Sequence, residues 1–277
     1  MSRLLTKLRS SVANLSPVMQ RVAQYVLEQP EAVIYHSVTE LADATQSSEG
    51  SIIRFCQELG FSGFQEFKLT LAIEMGSPGR YGQESITRDN GSLMARLAQR
   101  AARTLDETAL LAEEESLREV VHKLANARRI DVYGVGASGV IAQYYAYKFL
   151  RFGLAAQAYT DMHLGVMSAS NLGVNDVVIG ISSSGSTLDT LQAVKAAKAA
   201  NAFTVAVTNG LKSPLAKIAD RSLFGCPPES PLTGGDVFAK LSQMLVLETL
   251  VQLMMAADER LSEDVRRTAQ VVADRSM

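Results

Sequence analysis

A hydroxyl-rich segment in the second half of the chain carries the residues with the clearest chemical potential. Segment 182–187 reads Ser-Ser-Ser-Gly-Ser-Thr and lies between an apolar run, 177–181, and a helical pattern, Leu188–Ala200. Its hydroxyl residues are Ser182, Ser183, Ser184, Ser186 and Thr187. Hydroxyls and backbone N–H groups at a helix N-terminus can hold a phosphate dianion without a lysine. A loop that only capped the helix would need one hydroxyl, so five hydroxyls favour an anion site.

A glycine-rich loop lies one predicted strand earlier and could serve the same site. It reads Gly-Val-Gly-Ala-Ser-Gly over residues 134–139. Alone it fits the G-x-G-x-x-G dinucleotide fingerprint, and Asp161 follows at a suitable distance. A dinucleotide-dependent oxidoreductase or redox sensor is therefore one alternative. Open parallel sheets bind ligands beyond the carboxyl ends of their strands, where both loops would lie.

The first half of the chain contains the spacing of a DNA-reading helix pair over residues 37–59. Such a pair needs a small residue where its helices touch, a tight turn, and apolar inner faces. Ala42 supplies the small residue, and Ser48 can cap the second helix. The apolar inner positions are Val38, Leu41, Ile52, Phe55, Cys56 and Leu59. A plain helical hairpin would show the same pattern and stays open as an alternative.

Polar residues near the start of the second helix are the candidates for contact with DNA. Arg54 could pair with guanine or with phosphate, and the serines could bond phosphates or base edges. The predicted DNA-binding residues are Ser47, Ser48, Glu49, Ser51, Ile53, Arg54 and Lys68. Residues 1–77 contain six Lys or Arg and eight Asp or Glu, a net charge of −2. Binding would then depend on local basic positions and on helix N-termini that face phosphates.

The elements that position these residues change character along the chain. Residues 1–75 have helical periodicity, residues 76–92 are rich in Gly and Ser without periodicity, and residues 93–127 are helical again. Strands then alternate with helices. The predicted strands are Ile130–Val135, Ala155–Tyr159, Val177–Ile181, Phe203–Thr208 and Ser222–Phe224. The predicted helices are Val140–Phe152, Leu188–Ala200, a short one at Pro214–Ala219, and Phe238–Ala257. Continuous apolar strands between amphipathic helices predict a parallel sheet covered by helices on both faces.

The run Arg54 to Lys68, Arg-Phe-Cys-Gln-Glu-Leu-Gly-Phe-Ser-Gly-Phe-Gln-Glu-Phe-Lys, resembles the N-terminal domain of the RpiR family of bacterial transcriptional regulators. The resemblance covers roughly residues 1–77 and implies an all-α helix-turn-helix DNA-binding domain. Two positions depart from the family pattern. Gln46 lies where the turn usually carries glycine, and Ser47 lies where an apolar residue is common.

The second half resembles the sugar isomerase (SIS) domain, an α/β phosphosugar-binding fold, over roughly residues 110–260. The matching segments are the two loops above, the pair Thr208-Asn209, the region of Glu229, and Ala-Lys-Leu-Ser-Gln at 239–243. The resemblance implies that a phosphorylated sugar or sugar acid is bound by Ser138, Ser182, Ser184 and Thr187, with Ser183, Ser186, Glu229 and Lys240 nearby. Lys240 stands where arginine is more usual, which keeps the charge but loses a planar two-point grip.

These observations predict three parts: a helix-turn-helix domain at 1–77, a linker at 78–92, and a SIS domain at 93–277 with its core at about 120–260. The leading hypothesis is a transcriptional regulator of carbohydrate metabolism whose DNA binding is modulated by the phosphosugar. The alternative is a sugar-phosphate isomerase with a helical appendage. An isomerase needs a poised base, and Glu229, His163 and Asp161 are the candidates without a recognisable catalytic spacing.

Composition narrows the partners and the compartment. The chain has 277 residues, of which 47% are hydrophobic, 20% are charged and two are cysteines. With three histidines and no metal-ligand spacing, we expect neither a metal nor a cofactor. We expect a cytoplasmic protein without a signal peptide or membrane span. Helix-turn-helix proteins usually read two half-sites, so we predict a homodimer or homotetramer on double-stranded operator DNA. The apolar helices 93–111 and 238–257 are the predicted interfaces, although they could equally cover the sheet.

Overall fold

The computed structural model describes residues 2–75, 92–226, 231–233 and 236–273. They form two compact units. The first contains the chain up to Arg96, and the second begins at Leu97, with the short 3-10 helix Pro231–Thr233 grouped with the first. Almost all of the predicted linker, 78–91, lies outside the described residues.

The N-terminal unit is helical, as predicted. Its helices are α1 (Arg3–Ser11), α2 (Pro17–Glu28), α3 (Pro30–Val33), α4 (Val38–Ala44), α5 (Glu49–Glu58) and α6 (Phe64–Glu74). Side-chain caps begin several of them. The hydroxyl of Ser37 accepts from the backbone N–H of Glu40 at 3.1 Å, and the carboxylate of Glu40 accepts from the N–H of Ser37 at 2.7 Å. This reciprocal capping box fixes the start of α4.

Aromatic residues hold this unit together. The ring of Phe67 on α6 meets Phe55 on α5 edge to face, with centroids 5.8 Å apart, and it meets Phe61 at 5.5 Å. Such edge-on pairs stabilise beyond the area they bury. Phe55 and Phe67 are fully buried, together with Val22, Val26, Leu41 and Ile52. The core therefore fixes α5 against α2, α4 and α6.

The second unit is built on a five-stranded sheet in which all the strands are parallel. Its strands are β1 (Arg129–Tyr133), β2 (Ala156–Tyr159), β3 (Asp176–Ile181), β4 (Phe203–Thr208) and β5 (Arg221–Phe224). Their order across the sheet is β2-β1-β3-β4-β5, and Ile130 pairs with Ala156 on one side and with Val177 on the other. From β1 the chain adds β2 at one edge of the sheet, and from β3 it adds β4 and β5 toward the other edge. The boundary between β1 and β3 is therefore the point at which the strand order reverses, the switch point of the sheet.

Helices cover both faces of this sheet, which confirms the predicted fold class. The described chain from Leu93 onward contains the helices α7 (Leu93–Ala109), α8 (Glu114–Ala125), α9 (Ala137–Arg151), α10 (Met162–Ala169), α11 (Leu188–Ala199), α12 (Pro214–Ile218), α13 (Val237–Ala257) and α14 (Glu259–Ala273). One core cluster joins the sheet to α8, α9 and α13, and a second joins it to α10, α11 and α12. All six residues of β3 are buried, as expected of a central strand covered on both sides.

Two features of the second unit differ from the sequence prediction. The helical stretch 93–127 is two helices, α7 and α8. Helix α10 was not predicted, because Gly165 and its short length weaken its periodicity. The carboxylate of Asp161 caps α10 by accepting from the N–H groups of His163 and Leu164, at 2.9 and 3.3 Å. That aspartate was a start signal for the helix.

Helix α13 is long and apolar enough to cross a bilayer on length and composition alone. It is instead the central helix of one core cluster, where Leu247, Leu250 and Met254 are fully buried. Its Glu248 pairs with Lys148 of α9 at 2.7 Å. These contacts identify α13 as a core helix of this unit.

Candidate functional site

The turn between α4 and α5 is as tight as a DNA-reading helix pair requires. The backbone N–H of Ser47 donates to the carbonyl of Ala42 at 2.9 Å, and Gln46 has a φ of 50°. The guanidinium of Arg21 on α2 donates to the carbonyls of Thr45 and Gln46 at 3.3 and 3.1 Å. Gln46 thus takes the left-handed conformation that glycine adopts at no steric cost. These two hydrogen bonds from Arg21 stabilise the turn. Arg21 was not among the residues predicted from the sequence.

The inner face of α5 agrees with the predicted pattern. Ile52, Phe55, Cys56 and Leu59 are all buried. Burial raises the pKa of the Cys56 thiol to about 12, so this cysteine acts as a small core residue rather than a nucleophile.

The outer face of α5 presents the predicted polar residues. The hydroxyl of Ser48 accepts from the N–H of Ser51 at 3.2 Å, which confirms Ser48 as the cap of the helix. Ser48, Ile53 and Arg54 are exposed, while Ser47, Glu49 and Ser51 are half-buried. The hydroxyl of Thr39 on α4 donates to the carboxylate of Glu49 at 2.5 Å. Glu49 therefore links the two helices, which leaves Ser48, Ile53 and Arg54 as the most accessible candidates for DNA.

Lys68 is a correction to the predicted DNA-binding set. Its side chain is only 4% exposed, and its ammonium donates to the carbonyl of His36 at 2.9 Å. Burial lowers the pKa of Lys68 to about 8, against a smaller opposing effect of Glu40. Position 68 lies four residues after the buried Phe64 on the same helix face, and that spacing already indicated the core. Lys68 is part of the packing of the unit, and its burial argues against a contact with a DNA phosphate.

In the second unit, the two predicted loops meet at the switch point of the sheet. Residues 134–139 follow β1 and enter α9, and residues 182–187 follow β3 and enter α11. Because β1 and β3 are neighbouring parallel strands, both loops lie at one edge. This is the position at which open α/β sheets bind ligands.

The loop after β3 is organised by its own hydroxyls. The hydroxyl of Ser182 accepts from the N–H of Gly185 at 3.1 Å and shares a hydrogen bond with the hydroxyl of Thr187 at 3.0 Å. Gly185 has a φ of 61°, and a Cβ there would lie 2.1 Å from Oγ of Ser213. The hydroxyl of Ser184 accepts from the N–H of Ser186 at 3.2 Å. The loop is thus a preformed turn and not an irregular serine tract.

Lys240 of α13 joins the two loops. Its ammonium donates to the hydroxyl of Ser138 at 3.3 Å and to the hydroxyl of Ser183. Ser138, Ser182 and Ser183 are buried, whereas Lys240 is half-buried. We call this group of residues the cradle: Ser138, Ser182, Ser183, Ser184, Thr187 and Lys240. A cation among converging hydroxyls at a helix N-terminus is an arrangement that stabilises a bound phosphate.

Three more polar residues support the cradle from behind. The side-chain amide of Gln243 donates to the hydroxyl of Ser183 at 3.1 Å and to the side-chain carbonyl of Asn209 at 3.0 Å. The amide of Asn209 in turn donates to the hydroxyl of Ser242 at 2.8 Å. All three supporting residues are buried. Gln243 was not predicted as a site residue; it lies three residues after Lys240, on the same side of α13, and that spacing could have identified it.

The other candidates are placed less centrally. Glu229 lies outside the described residues. Ser186 is half-buried, and its hydroxyl donates to the carbonyl of Ser184 at 3.4 Å. His163 and Asp161 are exposed at the start of α10, where Asp161 serves as the cap. Within the described ranges, no group of three or more His, Cys, Asp or Glu residues could hold a metal ion.

Close packing accounts for two glycines of the first loop. A Cβ on Gly134 would lie 2.7 Å from the carbonyl oxygen of Ser138, and one on Gly139 would lie 2.8 Å from a methyl of Thr160. Neither position admits a side chain. The glycine spacing that matches a dinucleotide fingerprint therefore also follows from the packing of α9 against β1 and β2.

Family models match both units of the chain. Residues 2–78 match the helix-turn-helix domain of the rpiR family, and residues 123–253 match the SIS domain. The chain is 36% identical over 282 residues to an HTH-type transcriptional regulator of Caldanaerobacter subterraneus subsp. tengcongensis, covering 100% of this chain and 99% of the relative. It is 33% identical over 269 residues to an HTH-type transcriptional regulator of Haemophilus influenzae, covering 95% and 93%.

Solved structures agree with these matches. The NanR protein of Vibrio vulnificus, solved as a complex with ManNAc-6P, superposes with a TM-score of 0.92 at 32% identity, covering 99% of both chains. The sugar isomerase domain of an RpiR transcription factor from Sphaerobacter thermophilus superposes with a TM-score of 0.59 at 21% identity, covering 65% of this chain and 99% of that one. The second comparison shows a shared fold only.

Proposed function

This chain belongs to the RpiR family of helix-turn-helix transcriptional regulators, and on that premise we propose that a phosphorylated sugar in the cradle controls its binding to double-stranded DNA. The observation that carries the proposal is the bridge from Lys240 to Ser138 and Ser183, which joins a cation to hydroxyls of both loops. The ligand must bind one arrangement of the protein better than another, because only such a difference can shift DNA affinity.

The phosphate is assigned to the cradle by chemistry. Ser138, Ser182, Ser184 and Thr187 would donate from their hydroxyls, and Lys240 would supply the positive charge. Backbone N–H groups at the start of α11 add donors that complement an anion. Ser183 and Ser186 are secondary candidates, and Glu229 is a candidate for the sugar hydroxyls.

We propose an amino-sugar phosphate of the ManNAc-6P type as the first ligand to test. NanR, at 32% identity over 99% of this chain, was solved with that compound. The hydroxyl and lysine groups of the cradle recognise the phosphate part, which many sugars share. Discrimination between sugars therefore rests on residues that contact the sugar ring. A panel of sugar phosphates is needed to rank the sugars by affinity.

The DNA surface is assigned to the outer face of α5. Arg54 would contact phosphate or guanine, Ser47, Ser48 and Ser51 would contact phosphates or base edges, and Ile53 would make apolar contact. Glu49 would act indirectly through its hydrogen bond to Thr39. We further propose a homodimer or homotetramer that reads two half-sites in the cytoplasm.

We propose that the chain regulates and does not catalyse. Two relatives that align over nearly the whole chain are named HTH-type transcriptional regulators. The isomerase alternative would need a base near the sugar, and exposed His163 and Asp161 are the described candidates. Incubation of the protein with ManNAc-6P and other sugar phosphates, followed by NMR of the products, separates the two readings. Catalytic interconversion of the sugar would overturn the regulatory assignment.

The binding test uses the full chain and thermal unfolding. ManNAc-6P should raise the melting temperature, whereas unphosphorylated ManNAc at the same concentration should not. A ligand at 100 times its Kd stabilises by about 2.7 kcal/mol, which a melting curve resolves. DNA fragments recovered by the protein from a genomic library should then change in affinity when the ligand is added. Equal stabilisation by the phosphorylated and unphosphorylated sugars would contradict the proposed phosphate site.

A further inference from the structure

A buried chain of polar contacts leads away from the cradle through α13. It runs from Ser183 through Gln243 and Asn209 to Ser242, by hydrogen bonds of 3.1, 3.0 and 2.8 Å. We call these four residues the relay. Each of them is at most 5% exposed. In such a buried network, breaking one hydrogen bond changes the geometry of the neighbouring hydrogen bonds, because water cannot replace a lost partner.

The relay ends against the segment that follows β5. A Cβ on Gly225 would lie 2.5 Å from Oγ of Ser242 and 3.1 Å from the amide nitrogen of Asn209, so this backbone packs directly on the relay. The next residue, Cys226, donates its N–H to the hydroxyl of Thr108 at 3.2 Å. Thr108 lies in the last turn of α7 and is 2% exposed.

Helix α7 is the element that this contact reaches. The hydroxyl of Thr108 also donates to the carbonyl of Thr104 one turn earlier, at 2.7 Å, which ties it to the body of the helix. Helix α7 is the first helix after α6 in the described chain, and it passes from the N-terminal unit into the second unit between Arg96 and Leu97. Helix α7 is therefore the described helix of the second unit that lies nearest in the sequence to the helix-turn-helix unit.

There is space beside Thr108 for such a displacement. A cavity of about 240 Å³ lies between the α7–α8 turn, β5 and α13. Its lining includes Thr108, Leu111, Leu117, Leu223, Val246 and Thr249. The cavity is partly open to solvent, so a small shift of the α7–α8 turn into it would not compress a close-packed core. Cys226 contacts α7 at two adjacent residues: its N–H donates to the hydroxyl of Thr108 at 3.2 Å, and its thiol donates to the carboxylate of Glu107 at 3.5 Å.

We propose that Thr108 is the positioning residue through which an occupied cradle moves α7. This inference rests on the proposed function and specifies how the ligand signal leaves the site. A phosphate dianion competes for the ammonium of Lys240 and the hydroxyl of Ser183, so it rearranges the first bond of the relay. The change passes through Gln243, Asn209 and Ser242 to the segment at Gly225, and from there through the Cys226–Thr108 bond to α7.

The test compares two threonine-to-valine variants of the full chain. Thr108→Val keeps the shape of the side chain but removes the acceptor for Cys226. Thr249→Val is the matched control, because Thr249 lines the same cavity and its hydroxyl donates within its own helix, to Leu245 at 2.9 Å. The readout is hydrogen–deuterium exchange of residues 98–109, with and without saturating ManNAc-6P. The Kd for ManNAc-6P is measured in parallel by calorimetry.

We expect ManNAc-6P to change the exchange of α7 in the wild-type chain. Thr108→Val should reduce this ligand-dependent difference at least about twofold, in the range of effects known for residues that couple sites, while its Kd stays near the wild-type value. Thr249→Val and Thr108→Ser should both respond like the wild type. Thr108→Ser retains the hydroxyl, so its response shows that a loss in Thr108→Val comes from the missing hydrogen bond and not from poor folding.

Two outcomes overturn the inference while the proposed function stands. One is ligand binding to the wild type without any change in α7. The other is a full α7 response in Thr108→Val. Failure of the wild-type chain to bind ManNAc-6P or any other sugar phosphate has a different meaning, because it removes the proposed function and the inference falls with it.

Discussion

The ammonium of Lys240 donates a hydrogen bond to the hydroxyl of Ser183, although the two residues lie 57 positions apart in the chain. Ser183 belongs to the loop after β3, whereas Lys240 lies near the start of α13. The contact therefore fixes a helix that follows the sheet to the loop that would hold a phosphate. It places positive charge among hydroxyls before any ligand arrives, and such preorganisation lowers the cost of binding.

Lys240→Met is expected to weaken ManNAc-6P binding by about 10- to 150-fold, since hydrogen bonds to charged groups contribute about 1.5–3 kcal/mol. Methionine keeps most of the aliphatic length but removes the charge. Lys240→Arg should retain much of the affinity because it keeps the charge. Calorimetry at fixed ionic strength measures all three proteins. Lys195→Met, on the exposed surface of α11, is the control for loss of one positive charge. Equal losses in the Lys195 and Lys240 variants would contradict a local role for Lys240.

Gly185→Ala should destabilise the cradle from within. Gly185 has a φ of 61°, and the added methyl would lie 2.1 Å from Oγ of Ser213 and 2.7 Å from Oγ1 of Thr208. Left-handed backbone and overpacking together cost about 2 kcal/mol or more, so the melting temperature and the ligand affinity should both fall. Gly173→Ala is the matched control, because a Cβ there has no neighbour within 4 Å among the described residues. A Gly185→Ala protein as stable as Gly173→Ala would show that the loop can rearrange.

Local patterns in the sequence predicted much of this molecule. The apolar strands, the hydroxyl loop and the inner face of α5 all follow from the spacing of side chains, and each lies within one short segment. Ser48 caps α5 as predicted, and that prediction also depended only on residues within one short segment. Helix α10 was missed although Asp161 marks its start, because the helix is short and weakly periodic.

Contacts between distant segments were beyond the reach of those patterns. Gln243 and Asn209 lie 34 positions apart, and only the folded chain brings them together behind the cradle. Arg21 reaches Gln46 across 25 positions to hold the turn of the helix pair. Lys68 was included among the predicted DNA-binding residues, but it lies on the apolar face of α6 and is buried there. The helical periodicity of α6 places Lys68 on the buried face, and it would have predicted this burial.

Gln46→Gly should stabilise the helix-turn-helix unit by about 1 kcal/mol. Gln46 has a φ of 50°, and a left-handed residue with a side chain costs roughly that amount relative to glycine. The same substitution at Gln57, which is exposed in the last turn of α5, should have the opposite sign, because glycine within a helix costs up to about 1 kcal/mol. Urea unfolding followed by circular dichroism measures both variants. Destabilisation by both would mean that the side chain of Gln46 contributes more than its backbone conformation costs.

Arg54 and Lys68 should respond differently to the same substitution. Arg54→Met removes an exposed charge from the outer face of α5, so DNA affinity should fall and its salt dependence should become weaker. Lys68→Met alters a buried side chain and should leave the salt dependence of DNA binding unchanged. Titrations of a recovered DNA fragment at several salt concentrations supply the slopes. A lower slope for Lys68→Met would restore Lys68 to the DNA-binding set.

The buried ammonium of Lys68 should also make stability depend on pH. Burial lowers the pKa of Lys68 from 10.5 to about 8 in the folded protein. Between these values the unfolded chain binds more protons than the folded chain, so stability should rise as the pH increases from about 8 to about 10.5. The full rise corresponds to about 3 kcal/mol, because one pKa unit is 1.36 kcal/mol.

Other groups titrate in this window, so the measured quantity is the difference between wild type and Lys68→Met in urea-unfolding midpoints at pH 7.5 and pH 10. Replacement by methionine should remove the rise that Lys68 contributes. Identical pH dependence in the two proteins would show that Lys68 keeps its proton in the folded unit over this range.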